Sequence, residues 1–189
     1  MPKPLDYRAH PRVRLAALEL ARGGVVAYPT EGVWGLGAHP FNRHAVEKIL
    51  GLKNRPVDKG LILVAAHINQ LDFILRHLSA EQRAALAASW PGPNTWLVPH
   101  HGEVPPWISG QHETVALRVS AHPVVRALAE LAGPLVSTSA NPQGLAPARQ
   151  AFRARGYFGN QVFYAPGQVF PNAGPSTIRD LLTGRIVRA

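Results

Sequence analysis

The sequence predicts an α/β fold on a mixed, open sheet, and three patterns predict it. Short apolar or β-branched runs alternate with stretches of helical period, which sets strands between helices. The 17 glycines and 18 prolines gather between these runs, where they mark turns. Near the end, Leu182-Thr183-Gly184-Arg185 reads as the turn of a terminal hairpin, which adds an antiparallel edge.

Taken in order, residues 12–22 form the first helix, with Val13, Ala16, Ala17 and Leu20 on one face and Gly23-Gly24 where a helix ends. A strand follows at 25–28. Asn42 caps a second helix that buries Ala45, Val46, Ile49 and Leu50 and stops at Gly51. Residues 61–65 form the next strand. Ser79 with Gln82 makes a capping box for a helix running to Ala88. Strands at 96–98, 115–119, 135–136 and 162–164 complete the set, with a helix after Pro123. Residues 102–110 and 156–174 are expected to be irregular or mobile.

At 189 residues the chain suits one compact domain, here 1–189. Hydrophobic residues at 46% against 16% charged exclude disorder over most of the length. A formal charge of +9 favours anionic partners, phosphates or nucleic acid, and equally serves a basic, soluble surface. Without cysteine, thiolate catalysis, disulfides and Cys-type zinc sites are excluded, and the cytoplasm is the simplest location. No signal-like apolar segment opens the chain and no run of ~18 apolar residues occurs, so no membrane association is expected.

Five segments could carry chemistry. Tyr28-Pro29-Thr30-Glu31-Gly32-Val33-Trp34-Gly35-Leu36-Gly37 follows a strand, and its glycines let backbone N–H groups approach an anion; a glycine-rich bulge would read the same. Lys53-Asn54-Arg55-Pro56-Val57-Asp58-Lys59 sets three cations in seven residues, as a phosphate clamp or as a solvated loop. Read as exposed, Lys53 and Arg55 should tolerate replacement within roughly ±0.5 kcal/mol of folding stability. Arg118 lies in an apolar strand and must meet a carboxylate or phosphate, whether a ligand's or an internal partner's. Ser137-Thr138-Ser139-Ala140-Asn141 delivers hydroxyls and an amide at a strand end, a common ligand position in α/β proteins and also a possible helix cap. Pro175-Ser176-Thr177-Ile178-Arg179-Asp180 adds a second polar strand start. Trp90-Pro91-Gly92-Pro93 suits packing better than ligand stacking. There is no Walker loop, no G-x-S-x-G and no H-E-x-x-H, so ATP, if bound, is held without a P-loop, and no metal site from side chains is expected.

Six motifs in order, P-T-E-x-x-x-G-x-G from Pro29, K-x-R-P-x-x-K-G-L from Lys53, W-P-G-P-x-T from Trp90, R-V-x-x-H-P from Arg118, S-T-S-A-N from Ser137 and P-S-x-I-R-D from Pro175, resemble the YrdC/TsaC family. The resemblance covers nearly the whole chain, in the short bacterial form. It implies a YrdC-like twisted open mixed sheet flanked by helices, with a concave basic cavity. It implies an L-threonylcarbamoyladenylate synthase, a nucleotidyltransferase that joins L-threonine, bicarbonate and ATP, with Mg2+ carried on the nucleotide and pyrophosphate released. The product would serve N6-threonylcarbamoyladenosine formation at tRNA position 37, with partner proteins performing the transfer. By the same resemblance Lys53 and Arg55 are catalytic and bind ATP with Lys59, Ser139, Asn141 and Arg188, while Thr30, Arg118, Ser137 and Ser176 hold threonine. Gly32 replaces the Thr of many members, so Thr30 carries the hydroxyl contact instead. An RNA-binding module using a basic groove without ATP turnover is the alternative.

Overall fold

A computed structural model describes residues 6–188. The elements run α1 (Pro11–Ala21), β1 (Val26–Pro29), β2 (Trp34–Ala38), α2 (Arg43–Lys53), β3 (Ile62–Ala65), α3 (Asp72–Leu75), α4 (Ala80–Ser89) and β4 (Asn94–Pro99). They continue α5 (Pro106–Ser109), β5 (Thr114–Val119), α6 (Pro123–Ala132), β6 (Leu135–Ser139), α7 (Ala151–Phe158), β7 (Phe163–Tyr164), β8 (Thr177–Asp180) and β9 (Ile186–Arg188). The nine strands of the described residues join one sheet in the order β7-β1-β2-β6-β3-β5-β4-β8-β9. Three neighbouring pairs, β1/β7, β3/β5 and β4/β8, are parallel and the rest antiparallel, so the mixed sheet expected from the sequence is found.

Local signals explain most boundaries. The Asn42 side chain accepts from the Ala45 amide at the start of α2, and Ser79 and Gln82 form the full capping box of α4. The second helix runs past Gly51 to Lys53 and ends where Asn54 turns left-handed at φ 50°, an arrangement asparagine tolerates. The terminal hairpin joins β8 to β9, and Trp90 packs in the core with its indole N–H donating to the Asn94 carbonyl at 2.8 Å. Three segments depart from the expectation. The glycine-rich segment contains strand β2, residues 102–110 contain the short helix α5, and residues 156–174 begin inside α7, while the strand expected at 162–164 is found as β7.

The two faces of the sheet are covered differently, and this places the site. Side chains alternate across a strand. Val26, Tyr28, Val64 and Leu135 therefore share one face, where they pack under α1 and α6. Ala27, Leu36, Leu63, Leu117 and Val136 point the other way, into a larger core with α2, α4 and α7. On the first face, one step along the strands from Val64, Arg118 and Leu135, lie Ile62, Ala116 and Ser137, aligned across β3, β5 and β6. There the residues are small, apolar or hydroxylic, and they line a cavity.

Strand β2 shows why its glycines are needed. Tyr28 lies across it, and a Cβ on Gly37 would sit 2.7 Å from the Tyr28 ring and hydroxyl and 2.9 Å from the Val136 carbonyl. Gly51, inside α2, has open space around its Cα. We predict that Gly37→Ala destabilises by about 1–3 kcal/mol, as overpacking does, whereas Gly51→Ala stabilises by about 0.5–1 kcal/mol through helix propensity. Urea midpoints check both; a stable Gly37→Ala protein would contradict the packing described.

Candidate active site

The cavity holds about 450 Å³ and opens on the face that α1 and α6 leave uncovered. Its floor is Ile62, Ala116 and Ser137. Cations enter from three directions: Arg55 and Lys59 from the loop after α2, Arg118 from β5, and Arg188 from the terminal strand. No Asp or Glu side chain lines it among the described residues.

The guanidinium groups crowd one another. Burial, and next the charge of Arg188, hold Arg55 below the usual arginine pKa; burial and the charge of Arg118 do the same to Arg188. Arg55 donates from Nη2 to the Gly60 carbonyl at 2.9 Å, while its buried Nε has no acceptor. Arg188 donates to the Ser176 carbonyl at 3.0 Å. Like charges that outnumber the carboxylates around them are a costly arrangement that a bound anion relieves.

Hydroxyls are fixed around these cations. Thr30 follows β1, and its hydroxyl donates to the Val33 carbonyl at 2.7 Å. The Ser137 hydroxyl accepts from the Tyr28 phenol at 2.9 Å, and burial pushes that phenol up to about 12, so it stays a donor. Ser176 is buried and accepts from the Thr95 hydroxyl at 2.9 Å. Each serine oxygen is thereby held in one place.

Of the ten residues singled out in the sequence, Thr30, Arg55, Lys59, Arg118, Ser137, Ser139, Ser176 and Arg188 line the cavity. Lys53 and Asn141 lie beside it, not in the lining. Lys53 is 4% exposed at the last turn of α2, and its ammonium donates to the carbonyls of Ser139 and, at 2.6 Å, Asn141. The expectation of an exposed loop position for Lys53 is corrected: the extra helical turn carries it inward, where it pins the S-T-S-A-N segment. Asn141 donates to the carbonyls of Leu145 (2.7 Å) and Pro142 (3.1 Å), leaving its buried Oδ1 without a donor.

Sequence reasoning passed over Glu31. It is 3% exposed, and its carboxylate faces Nη2 of Arg118 while its Oε1 accepts from the Ser120 hydroxyl at 3.0 Å and the Ala121 amide at 2.9 Å. Burial raises the carboxyl, but the Arg118 charge and hydrogen bond, with the Ala121 amide, hold it net below the usual range. The signal was partial, since Arg118 required an anion but nothing local in the sequence singled out Glu31 as its partner. Gly32 also acquires a reason. A Cβ there would lie 1.9 Å from the Gly174 carbonyl, so glycine lets the segment before β8 close over the cavity edge.

Fold and site together define an α/β protein built to hold an anionic ligand against a bare sheet face. A family model, Sua5/YciO/YrdC, described as telomere recombination, matches residues 19–189, and the chain belongs to this family. It is 56% identical over 186 residues, 97% of each chain, to a protein of Saccharophagus degradans named threonylcarbamoyl-AMP synthase. A Pseudomonas fluorescens protein of the same name is 54% identical over 178 residues, 94% of this chain and 96% of that one. Among solved structures, P. abyssi Sua5 complexed with L-threonine superposes with a TM-score of 0.84 at 33% identity, covering 92% of this chain and 52% of that one. This chain therefore spans about half the length of that Sua5.

The buried ammonium generates a pH prediction. Burial, and next the Arg55 charge, bring Lys53 down to about 8 from 10.5. Between these values the unfolded chain holds the proton and the folded chain releases it, so this group's contribution to stability rises with pH and is lost as pH falls through 8. Lys53→Met should therefore lose stability relative to the wild type progressively from pH 7.5 to 10, read from urea midpoints. A difference independent of pH would contradict the placement.

Proposed function

We propose that this chain joins L-threonine, bicarbonate and ATP into threonylcarbamoyl-AMP with release of pyrophosphate, for N6-threonylcarbamoyladenosine formation in tRNA. The observation that carries the reading is the convergence of four cations, only Arg118 of them paired with a buried carboxylate, on a cavity that has fixed hydroxyls and, among the described residues, no Asp or Glu in its lining. The names of the curated relatives support it, as does the threonine held by P. abyssi Sua5. Cations gathered inside a cavity suit a small polyanion better than an extended RNA backbone, which favours an enzyme over a simple RNA-binding module.

The threonine amine attacks bicarbonate and, with loss of water, becomes an N-carboxylate. One oxygen of that carbamate then attacks the α-phosphorus of ATP, forming a new P–O bond as the bond to pyrophosphate breaks. No covalent protein intermediate is required. The chain's own contribution is to bring two anions together and to stabilise the charge on the transferring and leaving phosphates. Arg55, Lys59 and Arg188 are assigned to the phosphates, with Ser139 at the nucleotide. Lys53 and Asn141 hold the strand end that presents Ser139. Arg118 takes the threonine carboxylate by its planar fork, and Thr30, Ser137 and Ser176 complete the amino-acid contacts. No Asp or Glu of the described residues lines the cavity, so Mg2+ would be held by the phosphates and water rather than by protein side chains.

Among the described residues no helix is long and apolar enough to cross a membrane. The reading places the activity in the cytoplasm, beside the partner proteins that transfer the group to tRNA.

The test incubates purified protein with ATP, labelled bicarbonate and threonine. Pyrophosphate and labelled threonylcarbamoyl-AMP should appear only when both threonine and bicarbonate are present; no product beside an active control enzyme would refute the assignment. Arg55→Ala should lower kcat on the order of a hundredfold to a thousandfold, as loss of one preorganised donor does, and Arg55→Lys should also be impaired. Serine should be used less well by about 10- to 200-fold in kcat/KM, the range one methyl supplies. Equal kcat/KM for the two amino acids would exclude a methyl pocket.

A further inference from the structure

Glu31 has no place in the chemistry just described, yet it is among the most heavily engaged side chains near the cavity. Its Oε1 accepts from the Ser120 hydroxyl and the Ala121 amide, and its Oε2 meets Arg118 Nη2. Its own carbonyl accepts from the Phe170 amide at 2.9 Å. Two donors thus fix the carboxylate through Oε1 and a third bond fixes the Glu31 backbone, before Oε2 meets the arginine.

Arg118 is correspondingly constrained. Nε donates to the Gly92 carbonyl at 3.1 Å and Nη2 is committed to Glu31. Among the described residues no acceptor takes Nη1, although the residue is 9% exposed and lines the cavity. A planar guanidinium held at two nitrogens has one orientation, and its remaining edge is presented to a ligand. Without Glu31, Arg118 would lie buried in a cavity already charged by Arg55, Lys59 and Arg188, and repulsion would drive it toward water.

We propose that Glu31 is the positioning residue that aims Arg118 at the carboxylate of the amino-acid substrate. This rests on the assignment of the threonine carboxylate to Arg118. Glu31 itself touches no substrate. It acts through Arg118, so its removal should affect the amino acid and leave the nucleotide.

Steady-state kinetics of threonylcarbamoyl-AMP formation test this with Glu31→Gln, Arg118→Met and the double variant. Glu31→Gln should raise the threonine KM tenfold or more and keep the ATP KM within twofold. A general structural role would instead lower the melting temperature and move both KM values together. The double variant contains no lone buried charge, so it keeps the test available if Glu31→Gln does not fold. Its threonine KM should match that of Arg118→Met within twofold, since Glu31 has nothing left to aim. A threonine KM unchanged by Glu31→Gln but raised by Arg118→Met would overturn the positioning role alone. A double variant impaired by the product of the two single effects would do the same. An unchanged threonine KM in Arg118→Met would remove the carboxylate contact, and the inference with it.

Discussion

The buried pairing of Glu31 with Arg118 is the constraint on which much of the site depends. An isolated charge in this position would be prohibitively costly, so each partner requires the other. Because Glu31 also receives the Ser120 hydroxyl and the Ala121 amide, the pair fastens the loop after β1 to the turn between β5 and α6. The Glu31 carbonyl receives Phe170, which brings the segment preceding β8 to the same point. Three stretches distant in sequence therefore meet at one residue, and two of them, the loop after β1 and the segment before β8, line the cavity.

A second constraint is the uneven cover of the sheet. Strand alternation sends Val64 and Leu135 under α1 and α6 and leaves Ile62, Ala116 and Ser137 on the same face without a helix above them. Ile62 is the one large apolar side chain of the three, and small Ala116 and Ser137 beside it leave a trough. Cations at the rim then face each other across low-dielectric walls, where their repulsion makes a bound anion a structural complement.

Much of this was legible in the sequence, for identifiable reasons. The apolar face of α1, the Asn42 cap, the Ser79–Gln82 box and the terminal hairpin rest on local chemistry, and each is found. Strand β2 was hidden because Gly35 and Gly37 weaken a strand pattern, and their need appears only once Tyr28 is laid across them. The inward turn of Lys53 was hidden because Gly51 resembles a stop signal, while nothing local shows that Asn54 ends the helix instead. The partner of Arg118 was legible as a requirement and not as an identity, since residues 31 and 118 meet only through the sheet.

The most direct measurement is a crystal structure of the protein with L-threonine and a non-hydrolysable ATP analogue. The account predicts the threonine carboxylate within hydrogen-bond distance of Arg118 Nη1 while Nη2 remains on Glu31, with the phosphates against Arg55 and Arg188. A carboxylate bound elsewhere, or an Arg118 that leaves Glu31 to reach it, would contradict it.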